Sequence, residues 1–214
     1  VGLLSIGEEP GKGSPLVKNP RLTQATVPQL LEHLKAKEDW TRQNSKRVLK
    51  ESGAKKVVPS LKNWLADLDA TDKQFERNRL EGLWVYQSLD VAQPELLNAV
   101  LRSPRPECRA AAVRVLKHWF DRIPNGLELL SAAVLDEHPR VRLEAVRVLG
   151  NIGTPNAVEI AMHAIDSPVD RFLDYALWLT AWENRERWLP GVESGEVTFG
   201  GKPSHMTFAL MAVG

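Results

Sequence analysis

A run of nine residues occurs twice in this chain. Cys108-Arg109-Ala110-Ala111-Ala112-Val113-Arg114-Val115-Leu116 and Val141-Arg142-Leu143-Glu144-Ala145-Val146-Arg147-Val148-Leu149 share the second Arg and the whole of their last five residues, at an offset of 33. The preceding segment repeats at the same offset, with Leu97, Val100 and Leu101 falling on Leu130, Ala133 and Val134. The repeating unit is therefore a pair of helices. A lone helical hairpin cannot cover its apolar face, whereas stacked neighbours share one continuous core, so this period directs the chain toward a solenoid.

Each copy is amphipathic. Val141, Ala145, Val148, Leu149 and Ile152 recur at spacings of three and four and fall on one helix face, with Arg140, Glu144, Arg147 and Asn151 on the other. Pro106 and Pro139 stand near expected helix starts, where a missing N–H is harmless. Gly150 and Gly153 stand where a left-handed residue closes a helix. Fainter copies extend the array: Val27-Pro28-Gln29-Leu30 aligns with Val58-Pro59-Ser60-Leu61 at an offset of 31, which also superposes Leu34 on Leu65. The spacing predicts five hairpins, pairing 26–36 with 39–52, 55–68 with 72–89, 94–102 with 105–121, 126–136 with 139–151, and 155–166 with 169–187. The expected fold is all-α, a right-handed α-solenoid of about five helical hairpins.

The flanks differ. Residues 1–24 read as a possible strand, Val1 to Ile6, followed by an extended linker with Pro10, Gly11, Gly13, Pro15 and Pro20. Residues 25–190 form the repeat domain. Residues 191–214 read as a glycine-bearing loop and the start of a further, truncated helix, and the first residue, Val1, suggests an excised or processed fragment. With 214 residues the chain buries enough surface to need no metal or disulfide staple. Its one cysteine, Cys108, can form no internal bridge and belongs to no C-x-x-C pair; its alignment with Val141 makes it a small core residue. No apolar run reaches the about 18–20 residues that span a bilayer.

Asp136-x-x-Pro139-x-Val141-Arg142-x-x-Ala145-x-x-x-Leu149-Gly150 resembles the HEAT motif, in which a turn Asp and a second-helix Arg pair from repeat to repeat. The resemblance implies a ladder of Asp136, Arg109 and Arg142, incomplete because Ser103 takes the Asp position in the neighbouring copy. The signatures of tetratricopeptide and ankyrin arrays are absent. A further resemblance rests on Asp39-Trp40-Thr41-Arg42-Gln43-Asn44, on Leu83-Trp84 with Pro94-Glu95-Leu96-Leu97, and on Phe172-Leu173-Asp174-Tyr175-Ala176-Leu177-Trp178. These look like the HEAT segment of large bacterial membrane-bound dehydrogenase or haem-binding proteins, where a sorbosone-dehydrogenase-like propeller precedes the helices and a c-type haem domain follows. That resemblance implies a periplasmic or exported parent, with Val1 to Ile6 as the propeller's exit. It implies no activity for this chain.

No catalytic, cofactor-binding or metal site emerges from the residues. The five histidines form no H-x-x-x-H or H-E-x-x-H pair, and only His163 with Asp166 shares a helix face at ligand-like spacing, which is too few ligands for a site. No nucleophile elbow is present, and Gly11-Lys12-Gly13-Ser14 is too short for a phosphate loop. Trp64 and Trp119 fall on apolar faces and read as core, while Trp84, Trp178 and Trp182 suit either packing or ligand contact.

Charge is balanced overall, 28 basic against 27 acidic residues, which argues against a dedicated nucleic-acid binder. It is uneven along the chain: nine basic and three acidic residues lie between Lys35 and Lys62. Arg42, Lys46 and Lys50 recur every four residues and form one helix stripe. In HEAT arrays the second helices line the inner surface, so Arg42, Lys46, Lys50, Trp84 and Trp178 are the expected partner-binding residues, against the plainer reading of a solvated face. The expected function is a non-catalytic scaffold that binds flanking domains or another protein chain, with no cofactor. Two rivals come from other HEAT-like families. A DNA glycosylase type would grip duplex DNA with the basic stripe. A phycobilin-lyase type is suggested by Arg142 to Ile165.

Overall fold

A computed structural model describes residues 22–214. The strand expected at Val1 to Ile6, and all but the last three residues of the expected linker, lie outside the described residues. Residues Leu22–Gln24 form one turn of 3-10 helix with Leu22 buried. Among the described residues every regular element is helical.

The hairpins follow in order. They are α1 (Val27–Glu32) with α2 (Asp39–Ser52), α3 (Ala54–Ala66) with α4 (Phe75–Ser88), and α5 (Pro94–Leu101) with α6 (Pro106–Trp119). Then come α7 (Gly126–Ala133) with α8 (Pro139–Ile152), and α9 (Pro155–Met162) with α10 (Arg171–Glu183). Second helices stack in sequence, α2 on α4, α4 on α6, α6 on α8 and α8 on α10. This is an α-solenoid.

Local chemistry sets the boundaries. Pro94, Pro106, Pro139 and Pro155 each open a helix. Gly153 closes α8 in the left-handed conformation, φ 66°. Gly150, expected to share that role, lies inside the helix instead. A Cβ there would come within 2.7 Å of the Thr180 hydroxyl on α10, so its lack of a side chain serves close packing.

The last expected helix, 169–187, breaks at Asn184. Its buried side-chain amide donates to the carbonyls of Thr180 and Gly150, at 2.9 and 3.1 Å. A new helix, α11 (Arg185–Ser194), begins at the next residue, and α12 (Pro203–Val213) follows after a 3-10 turn at Phe199–Gly201. α11 packs on α9 and α12 on α10, so the segment read as loop and helix start continues both layers with a sixth pair.

One apolar core runs the length of the array. The repeat-related pairs Leu97 and Leu130, Val113 and Val146, and Leu116 and Leu149 are fully buried. Trp64, Trp119 and Cys108 are buried as well, and loss of solvent pushes the Cys108 thiol up.

Candidate functional site

The structure divides the expected stripe. Arg42 is held by its own turn: its guanidinium donates to the carbonyls of Ala36 and Lys37, at 2.9 and 2.7 Å, and to Asp39 Oδ1 at 2.8 Å. Its Nε donates to Glu81 Oε1 on α4 at 2.9 Å. Lys46 Nζ donates to the other oxygen of Glu81 at 2.6 Å and lies 4.5 Å from the Trp84 ring centre. Both cations thus share one carboxylate that is only 2% exposed, with Asp39 a second partner for Arg42. Lys50 alone of the three is exposed, beside Gln43, Arg47 and Gln87 in an open groove between α2 and α4.

Glu81 is absent from the residues that spacing singles out. The available signal is an acid inside the apolar run Leu80-Glu81-Gly82-Leu83-Trp84, where an unpaired charge would be costly. Glu144, on α8, has an equivalent role further along the array. The helix period puts it on the solvent face of α8, yet it is 2% exposed. Arg114, Arg140 and Arg147 close over it at 2.9, 3.2 and 3.5 Å. The long basic side chains fold across the shorter acid and bury it.

The ladder residues have distinct settings. Arg109 bridges hairpins with two parallel bonds to Asp136, at 2.7 and 2.8 Å, and donates to the Ser103 carbonyl at 2.9 Å. Burial works to raise the Asp136 carboxyl, but the Arg109 bonds and the His138 amide outweigh it and hold the group below its usual range. Arg142 reaches only carbonyls, those of Asp136 and Glu137 and of Pro168 at 2.5 Å. Its Nε is buried without a partner, because the position 33 residues after Asp136 is Val169.

Trp178 belongs to a surface at which the sequence only hints. Tyr175, Trp178 and Trp182 stack along α10 with ring centres 6.3 and 5.8 Å apart and planes within 14°. Tyr175 is 61% exposed and both indoles are 38% exposed. Phe172 is also exposed, and Arg185 lies over the outer Trp182 ring at 4.3 Å. Trp84, by contrast, is half-buried beneath Lys46.

A polar cluster ties the sixth pair to the fifth. His205, in the first turn of α12, bonds through Nε2 to Asp166 Oδ1 at 2.8 Å, and Lys202 Nζ lies 2.6 Å from Asp166 Oδ2. His163 stands edge-on to His205 with ring centres 4.9 Å apart. Burial lowers the His163 imidazole below its ordinary value, and His205 and Lys202 push the same way. The sequence shows only the local pair, His163 and Asp166; His205 arrives from 39 residues further on.

Residues 94–178, within the array, match the family model described as HEAT repeats. A crystal structure of an engineered protein is similar at 21% identity, covering 87% of this chain and 94% of that one, with a TM-score of 0.41. No curated protein matches. No described helix is long and apolar enough to cross a membrane.

Proposed function

We propose that this chain is a non-catalytic scaffold that docks a protein partner on the exposed face of its second helices. The partner is a flanking domain of a larger redox protein of the dehydrogenase or haem-binding type. The observation that carries the docking face is the aromatic ladder of α10. Tyr, Trp and Arg are the side chains that dominate protein interfaces, and here Tyr175, Trp178, Trp182 and Arg185 form one continuous stripe. Lys50 and the edge of Trp84 line a separate open groove among the first hairpins.

The rival in which the stripe grips duplex DNA is weakened by Glu81, which occupies two of its three cations. The bilin-handling rival gains no specific observation.

The test starts from the open reading frame on either side of this segment. The domains encoded there are produced separately and titrated against this chain by calorimetry. Saturable binding is expected, weakened by roughly tenfold or more in Trp178→Ala with Trp182→Ala. Equal binding by that variant sinks the proposed face. Binding to duplex DNA that falls steeply with salt replaces this reading with the glycosylase type.

A further inference from the structure

We propose that His163, Asp166 and His205 form a binding site for a zinc-like divalent cation. His163 and Asp166 lie on the 3-10 turn that ends α9, and His205 lies in the first turn of α12. One donor atom from each falls within 4.8 Å of the others. Two imidazoles and one carboxylate are a donor set that zinc accepts, with further positions left for water.

Two features of the cluster point to a cation. His205 is fully buried and turns Nε2, not its unpartnered Nδ1, toward Asp166, so the nitrogen that would meet an ion already faces the carboxylate. The carboxylate, moreover, already gathers positive charge. Lys202 holds its ammonium 2.6 Å from Asp166 Oδ2, where a metal ion would sit, and its side chain is 47% exposed and can swing into solvent.

Tetrahedral coordination needs ligand atoms about 3.4 Å apart. Asp166 and His205, now joined by a hydrogen bond at 2.8 Å, must part slightly to admit an ion between them. His163 Nδ1, 3.9 Å from Asp166 Oδ2, must approach, and its side chain is 35% exposed and free to turn. The bound ion would tie α12 to the end of α9 and fasten the sixth hairpin to the fifth.

The full chain is titrated with zinc by calorimetry and with cobalt(II) by visible absorption, the latter to report coordination geometry. The expected result is one ion per chain, with the intense ligand-field bands of a tetrahedral site. His163→Ala, a surface change whose fold is checked by circular dichroism, should weaken binding by well over an order of magnitude. Asp166→Asn should do the same. Lys202→Met should tighten binding, because the competing ammonium is gone. Absence of binding at millimolar zinc, or binding unchanged by His163→Ala, overturns the site. The docking surface on α10 stands or falls separately, since these residues are outside it.

Discussion

The junction between the third and fourth hairpins and the junction between the fifth and sixth solve the same packing problem by different means. At the first, α6 and α8 bring nearly identical apolar faces together, and Arg109 spans the turn to Asp136. At the second, no repeat survives. Glu159 on α9 accepts the amides of Thr198 and Phe199 at 3.0 and 2.6 Å, holding a turn in which Phe199, Gly200 and Gly201 all have positive φ. The buried Trp188 packs edge-on against Phe199 and donates to the Ala181 carbonyl at 2.9 Å. Where the sequence repeats, matched apolar faces and one interhairpin ion pair hold the stack; where it does not, single polar and aromatic contacts set the geometry.

The comparison is open to direct attack. Trp188→Ala should have the largest effect, about 4 kcal/mol from the lost burial and the cavity left behind. The loss should be local, because neighbouring repeats contact only one another. Hydrogen exchange should speed up across 185–213 while amides of α6 and α8 stay protected; uniform exposure of the whole chain would mean that the two junctions fold as one unit.

Asp136→Ala should cost about 3 kcal/mol by leaving the buried Arg109 guanidinium only the exposed Glu137 carboxylate, 3.3 Å away, and the Ser103 carbonyl. Here the loss should reach the middle of the array and register in denaturant unfolding of the whole chain. A cost below about 1 kcal/mol would class the bridge with ordinary surface pairs.

Acid should weaken both junctions. The folded-state values of Asp136 and Asp166 are depressed, the former by Arg109 against the pull of burial, the latter chiefly by Lys202 and then His205. Each therefore contributes stability that is present above the unfolded carboxyl value and lost as pH falls through the depressed folded value. Asp136→Asn should flatten some of this acid limb in unfolding measured against pH. An unchanged limb would assign the loss to other carboxylates.

The smallest effect expected is a gain. Val169→Asp places a carboxylate where the repeat lacks one, within the reach of Arg142, and should stabilise the fourth-to-fifth junction by about 1 kcal/mol in denaturant unfolding. No gain would show that a carboxylate at 169 does not reach the unpartnered Arg142 Nε.

Much of the fold is legible in the sequence because helical periodicity and a 33-residue repeat are local, additive signals. They locate ten of the helices to within a few residues and identify Trp64, Trp119 and Cys108 as core. The break at Asn184 is not legible, since an Asn inside a helical pattern announces itself as a terminator only when Gly150 of a neighbouring helix supplies its second acceptor. The candidate surfaces fare less well. Spacing places Arg42, Lys46 and Lys50 on one stripe, but not the carboxylate that pairs with two of them. Trp178 stands out in the sequence without the stack that Tyr175 and Trp182 make with it.

The sequence by itself determined that this protein is a stack of helical hairpins, because repeated amphipathic units have no other way to hide their apolar faces. Only the tertiary structure decided which charges remain available, since Glu81 meets Arg42 and Lys46 from the neighbouring helix and Glu144 gains Arg114 from α6 beside Arg140 and Arg147 of its own helix. It alone brought His205 to Asp166, and it alone stacked Tyr175, Trp178 and Trp182 on the exposed face of α10. The physical reason is range. Apolar patterning acts within a helix and its immediate copy, whereas ion pairing and ligand geometry depend on where the stacked helices bring distant side chains together.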